Sequence, residues 1–296
     1  MTSVNVIIDT DPGVDDFLAI ALAFNSPELV IEAFTTTGGN AALRHTNANM
    51  LRILDAMNHP EAPVYRGSQR PLVGSFDDAE DVHGVGGLPI SLPRPSIRTR
   101  DGHAVNYMAQ RLKGGPAVTL IALGPPTNIA RLFRDHPGSK KFVERVVIMG
   151  GALDVPGNVT DYAEFNVWSD PEATALVFSS GVPVTMVGSD VCNQVRIYAD
   201  KTAVPVNPVI RRLTEAQYAA RPGRRITLYD PLTVMAVAQP GILKLERLNI
   251  TVDVSDGPER GRTREDPAGA TIDVATSVDV DAAIGLFTER VIQGRF

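Results

Sequence analysis

The chain has 296 residues, 44% of them hydrophobic, which is enough for a sizeable core in one large α/β domain or two small ones. Twenty-eight Lys and Arg against 34 Asp and Glu give a net charge of −6 with no dense basic patch, which argues against a nucleic-acid polymer as partner. A single cysteine, Cys192, precludes an internal disulfide; no apolar run is long enough for a bilayer, and no signal peptide precedes the first strand pattern, so a soluble cytoplasmic protein is expected.

The pattern opens with Val4-Asn5-Val6-Ile7-Ile8, a β-branched apolar run that predicts a buried strand over 4–9. Further strands are expected at 30–37, 117–122, 143–149, 183–187 and 249–254. Helical stretches fall between them, near 14–25, 43–58, 101–113, 127–135, 169–180, 206–220, 230–239 and 280–294. Alternation of short continuous apolar strands with helices predicts an open, doubly wound, mostly parallel α/β sheet covered on both faces. We read it as a single domain over 1–296, with no internal repeat. Two irregular segments, 66–100 and 254–270, read as functional loops or hairpin excursions.

The first strand runs into Asp9-Thr10-Asp11-Pro12-Gly13-Val14-Asp15-Asp16, four carboxylates within eight residues. Pro12-Gly13 forces a turn, so the acids sit at the carboxyl end of a strand, where open α/β sheets bind ligands. Helix capping accounts for one or two of them. It leaves Asp9 and Asp11 unexplained, and four packed anions raise each other's pKa unless a divalent cation neutralises them.

Later strands end in comparable loops. Thr35-Thr36-Thr37-Gly38-Gly39-Asn40 offers glycines for close approach and an amide that both donates and accepts. Leu123-Gly124-Pro125-Pro126-Thr127-Asn128 is either a plain turn or a loop that exposes a backbone carbonyl to a metal. Met149-Gly150-Gly151 leads to Asn158 and then Glu164-Phe165-Asn166, a set suited to a polyhydroxylated ligand, against the plainer reading of a surface loop. Asp230 is either an N-cap or a distant carboxylate that completes a metal shell. His83, in a Gly-rich loop, stands out among five histidines as a mobile acid or hydroxyl ligand. Arg221, Arg224 and Arg225 read as a solvated loop, and Cys192 as a buried thiol.

Asp9 to Asp16, together with Thr36-Thr37-Gly38-Gly39-Asn40, the segment 122–130, Met149-Gly150-Gly151, Ala163-Glu164-Phe165-Asn166 and Asp230-Pro231-Leu232, resembles the inosine-uridine preferring nucleoside hydrolase family in ordered blocks over most of the chain. The resemblance implies hydrolysis of a ribonucleoside to ribose and free base, in nucleoside salvage or catabolism. It implies Ca²⁺ held by Asp11, Asp16, Asp230 and the Leu123 carbonyl, with Asp11 as general base and Asp9 orienting the metal loop from behind. It assigns ribose hydroxyls to Asp15, Asn40, Asn158, Glu164 and Asn166, places Phe165 among the substrate-binding residues, and sets His83 near the sugar's 5′ side and the base. It also implies a homodimer or homotetramer that takes a small ribonucleoside, with neither nucleic acid nor membrane as partner.

One position departs from the pattern. Many members carry His immediately before the late metal-ligand Asp, where it protonates a leaving purine; here that position is Tyr229. A phenol, with an ordinary pKa near 10, is a poorer acid at neutral pH. Two other readings stay open from the residues: a haloacid-dehalogenase-type phosphatase, with Asp9 and Asp11 as its Asp-x-Asp pair, and a non-catalytic nucleoside- or sugar-binding protein on the same fold.

Overall fold

The computed structural model describes residues 3–77 and 79–294. Its strands are β1 (Val4–Thr10), β2 (Leu29–Thr36), β3 (Val64–Arg66), β4 (Val118–Ala122), β5 (Val143–Met149), β6 (Val184–Val187), β7 (Arg196–Tyr198), β8 (Arg225–Thr227), β9 (Leu243–Val252), β10 (Thr263–Glu265) and β11 (Ala270–Val278). Nine of them form one sheet in the order β10-β9-β11-β6-β5-β4-β1-β2-β3, parallel throughout except where β9 pairs antiparallel with β10 and β11. β7 and β8 form a separate antiparallel ribbon.

The central strands alternate their burial between two cores. Val6 and Ile8 of β1 face one cluster, together with the helices Val14–Phe24 and Tyr229–Ala238, whereas Ile7 faces the other, with Thr127–Asp135 and Pro171–Phe178. β5 repeats the division, with Val147 and Met149 on the first side and Val146 and Ile148 on the second. Period-two side chains thus meet helices on both faces, and each fully buried Ile or Leu contributes about 1.5–3 kcal/mol of transfer free energy. The open doubly wound fold expected from the alternation is the one observed.

β1 lies between β2 and β4. The chain winds outward in one direction through β2 and β3, then crosses back and winds the other way through β4, β5 and β6. This reversal opens a crevice at the carboxyl ends of β1 and β4, the switch point where ligands bind in such sheets.

Some boundaries differ from expectation. The strand expected at 249–254 is the end of a longer one beginning at Leu243, and β11 has no counterpart in the predicted set. The helix expected over 280–294 ends at Phe287 and continues as a π-type turn over Thr288–Ile292. No helix among the described residues is long and apolar enough to cross a membrane.

Candidate active site

A cavity of about 660 Å³ opens at the switch point, a size suited to a small ligand. Asp15, Asp230 and Leu123 reach its wall, while Asp11 and Asp16 are wholly buried.

The acid turn is held from several directions. Asp16 accepts from Thr10 Oγ1 and, at 2.9 Å, from the Gly13 amide. Asn40 joins the set by donating its backbone N–H to Asp11 Oδ2 at 2.6 Å and its side-chain amide to Asp16 Oδ2 at 3.1 Å. Asp9 Oδ1 accepts from Thr35 Oγ1 at 2.5 Å and Asn128 Nδ2 at 2.7 Å, which ties β1 to β2 and to the loop after β4. Glycines hem in the Asp11 carboxylate. A Cβ on Gly39 would stand 2.1 Å from Asp11 Oδ2, and one on Gly124 would stand 2.2 Å from Asp11 Oδ1. Both positions need glycine for this close approach.

Asp15, Asp16 and Asp230 each present an oxygen within 4.8 Å of the others. The resemblance names Asp11, Asp16 and Asp230, so Asp16 and Asp230 are common to both sets, and Asp15 stands in the geometric trio where Asp11 was expected. Asp11 Oδ1 and Asp15 Oδ1 are buried without a hydrogen-bond partner. Asp230 lies inside the first turn of its helix, whose cap position is Leu228, so its carboxylate faces the cavity rather than capping. Burial raises the pKa of Asp11, Asp15, Asp16 and Asp230, and like charge adds to the shift: Asp16 and Asp15 act on Asp11, Asp15 on Asp16, and Asp15, Asp16, Asp11 and Glu164 on Asp230. Asp9 is pushed up to about 7 by burial.

The opposite wall carries amides. Glu164 caps the short helix Phe165–Ser169, accepting from the backbone of Asn166 and Val167, and also from Gly151 at 3.0 Å. Burial raises its pKa to about 7. Asn166 Nδ2 donates to the Leu123 carbonyl at 2.7 Å, leaving Oδ1 as an acceptor, and Asn158 Oδ1 accepts from the Phe165 amide at 2.8 Å, leaving its NH₂ as a donor. Phe165 and Trp168 line the same wall.

His83 is held rather than mobile. Its Nδ1 accepts from the Val14 amide at 3.1 Å and stands 3.7 Å from Asp15 Oδ1, and burial lowers its pKa to about 4. The ring is therefore neutral at pH 7, with its proton on Nε2. Tyr229 donates its hydroxyl to Asn193 Oδ1 at 3.0 Å, and burial pushes its pKa up to about 12. The candidate site residues named from the sequence thus line one cavity, except Asp11 and Asp16, buried in the turn beside it, and Asp9 behind that turn. The cavity also includes Trp168, Asn193, Arg196 and Gln217, which no sequence motif marked, and Arg221 and Arg225, read above as solvated. Only the Arg221–Arg225 cluster offered a signal for this part.

Residues 6–285 match the family model of the inosine-uridine preferring nucleoside hydrolases. The chain is 35% identical to the pyrimidine-specific ribonucleoside hydrolase RihA of Salmonella paratyphi C, over 97% of both chains. Among solved structures it is similar to the plant nucleoside hydrolase PpNRh1, with a TM-score of 0.91 and 30% identity over 97% of this chain and 98% of that one. It is similar also to a purine-preferring ribonucleoside hydrolase from Gardnerella vaginalis, with a TM-score of 0.89 and 32% identity over 97% of both. Relatives at comparable identity thus include both a pyrimidine-specific and a purine-preferring enzyme.

Proposed function

The chain belongs to the inosine-uridine preferring nucleoside hydrolase family, an N-glycosyl hydrolase by that membership, and we propose from this premise that it cleaves a ribonucleoside with Ca²⁺ at its acid cluster and Asp11 as general base. The observation that carries the reading is the cavity itself, with clustered carboxylates at its floor and amides along one wall. Membership sets aside the phosphatase alternative. The geometry agrees, because Asp9 is buried and held by two donors, a poor position for a nucleophile.

The donor set fits a hard divalent cation. It offers oxygen only, and two of its carboxylate oxygens are buried without partners. Asp16 and Asp230, with Asp11 and the Leu123 carbonyl, would hold the ion, and Asp15 stands beside it. When bound, such an ion keeps the acids ionised and acts as a Lewis acid toward water. Asp11 takes the proton of the attacking water. The clustered carboxylates oppose the positive charge that develops on the ribosyl ring in an oxocarbenium-like transition state. Asp15, Glu164, Asn166 and Asn40 accept from ribose hydroxyls, Asn158 donates, and Phe165 covers an apolar face of the substrate. His83 contributes Nε2–H as a hydrogen-bond donor. The same family reading makes the protein a cytoplasmic homo-oligomer of nucleoside salvage.

Ion binding is open to a direct test. Carboxylates whose folded pKa is raised bind more protons folded than unfolded, so they favour the folded state at low pH and cost stability as pH rises. For Asp9 and Glu164 this loss runs from the ordinary carboxylate range up to about 7. Chelator-treated protein should therefore lose melting temperature between pH 5 and pH 7.5. Ca²⁺ at about 100 times its Kd should restore roughly 2.7 kcal/mol, about 5 °C for a chain of this size. A melting temperature indifferent to Ca²⁺ at pH 7.5 would remove the ion from the proposal.

The leaving group gives a second test. Tyr229 already donates to Asn193, and general-acid help is worth about 10²–10⁴ in rate. p-Nitrophenyl riboside, which needs no proton to leave, should be cleaved well ahead of inosine, and Tyr229→His should narrow that gap by roughly tenfold or more. Ribose release from both substrates by both proteins measures it. Equal wild-type rates, unmoved by the substitution, would show that Tyr229 does not limit the reaction.

A further inference from the structure

The irregular segment after β9 supplies no lining residue to the cavity, yet it stands directly behind the cavity wall. β10 pairs antiparallel with the end of β9, Thr263 against Val252, and residues 253–262 connect the two as a hairpin loop. The loop closes on itself: the Gly261 amide donates to the Asp253 carbonyl at 2.8 Å, and the Asp253 amide to the Arg262 carbonyl at 2.9 Å. Arg260 pins it to the helix Pro171–Phe178, with Nη2 2.6 Å from Glu172 Oε1. A Cβ on Gly261 would stand 2.9 Å from Trp168 Cα, so the loop runs flush against the short helix Phe165–Ser169.

Two consecutive residues of this hairpin hold both sides of one hydrogen bond in the wall. That bond runs from the Gly151 amide to Glu164 Oε2 at 3.0 Å. On the Glu164 side, Ala163 forms an isolated antiparallel bridge with Arg262. On the Gly151 side, Thr263 Oγ1 accepts from the Ala152 amide at 3.0 Å and donates to the Ala152 carbonyl at 2.9 Å. One buried hydroxyl thus satisfies both polar backbone groups of the residue next to Gly151. The fit is close, because a Cβ on Gly151 would stand 3.1 Å from Thr263 Oγ1. Thr263 does not line the cavity, whereas Glu164 does.

We propose that the β9–β10 hairpin is a positioning device for the ribose grip, and that Thr263 is the residue through which it fixes where the Glu164 carboxylate points. This rests on the ribonucleoside-hydrolase reading above, in which Glu164 accepts from a ribose hydroxyl. The Glu164 carboxylate accepts from the backbone of Asn166, Val167 and Gly151. Asn166 and Val167 belong to the helix that Glu164 caps, so they hold the carboxylate only relative to that helix. Gly151 lies just past the end of β5 and ties it to the sheet that carries the acid turn. Without the Thr263 hydroxyl, the buried N–H and C=O of Ala152 lose their partners, and the adjoining glycines let the backbone turn to find others. The Gly151 amide then shifts, and the carboxylate shifts with it.

Thr263→Val keeps the side-chain shape and deletes the hydroxyl. It should lower kcat/KM for uridine by roughly 10²-fold, the cost of about 1 Å of misplacement from a remote change. p-Nitrophenyl riboside should lose the same factor, because it carries the same sugar and the leaving group is untouched. Thr263→Ser, which keeps the hydroxyl, should recover most of the activity. The readout that separates positioning from mere packing is a double-mutant cycle: with Glu164→Gln already in place, Thr263→Val should cost far less than it does alone. Arg260→Gln loosens the hairpin from its partly exposed side and should show the same pattern at a smaller factor. It decides the matter if circular dichroism shows that Thr263→Val does not fold. A folded variant with undiminished turnover, with unequal losses on the two substrates, or with its full loss repeated on the Glu164→Gln background would overturn the proposal. Wild type inert toward both substrates would overturn the hydrolase reading beneath it instead.

Discussion

Asp11→Ala is expected to lower kcat by about 10³ or more at saturating ribonucleoside, with the fold retained. General-base help accounts for about 10²–10⁴ of the rate, and any share Asp11 has in holding the ion adds to that. The fold should survive because Asp11 is one of several acids that repel one another, so its loss relieves charge as well as removing the acceptor of the Asn40 amide at 2.6 Å. Circular dichroism and melting separate lost chemistry from lost structure. Asp11→Asn keeps the shape between Gly39 and Gly124 and should be nearly as inactive. Ca²⁺ titration of Asp11→Asn beside Asp15→Asn resolves which acid joins Asp16 and Asp230 as ligand: the resemblance places Asp11 there, whereas the closest-standing trio has Asp15. Near wild-type turnover by Asp11→Ala would sink the general-base assignment.

Much of this architecture was legible because the central strands are buried on both faces. β1, β2, β4, β5 and β6 read as continuous apolar runs for that reason, and the helices between them follow from periodicity. β11 escaped notice because Ala270–Val278 mixes Thr, Asp and Ser with its apolar residues, as a strand with partly exposed positions does. β3, β7 and β8 are three residues each, too short for any period to show. Missing that ribbon had a consequence for the site. Arg225 read as part of a solvated cluster, although pairing with β7 turns it to the cavity alongside Arg196. The floor of the site was more accessible, since its acids and amides sit in loops directly after strands, where topology alone makes them converge. His83 could be singled out as a residue, but its fixed orientation could not, because it depends on a hydrogen bond to an amide 69 positions away.

2′-Deoxyuridine is expected to be a poorer substrate than uridine by about 10³ or more in kcat/KM. The end of the cavity proposed above to hold the sugar has groups with unspent hydrogen-bonding capacity: Asp15 Oδ1, the free oxygen of Asn166 and the free NH₂ of Asn158. A ribose hydroxyl satisfies such groups, and its removal leaves them desolvated and unpaired. A lost hydrogen bond to a charged group costs about 1.5–3 kcal/mol, roughly 10–200-fold, and a hydroxyl that both donates and accepts forfeits two contacts at once. The penalty grows in the transition state, where positive charge on the ring strengthens each contact with Asp15 and its neighbours. Sites built around a substrate hydroxyl reject the analogue lacking it by up to about 10⁴–10⁵. Asp15→Asn and Asn166→Ala should each slow uridine more than 2′-deoxyuridine, compressing the ratio, because the deoxy substrate has less to lose. If wild type instead turns over both nucleosides within tenfold of one another, the 2′-hydroxyl is not gripped here, and the assignment of Asp15 and the wall amides to ribose fails.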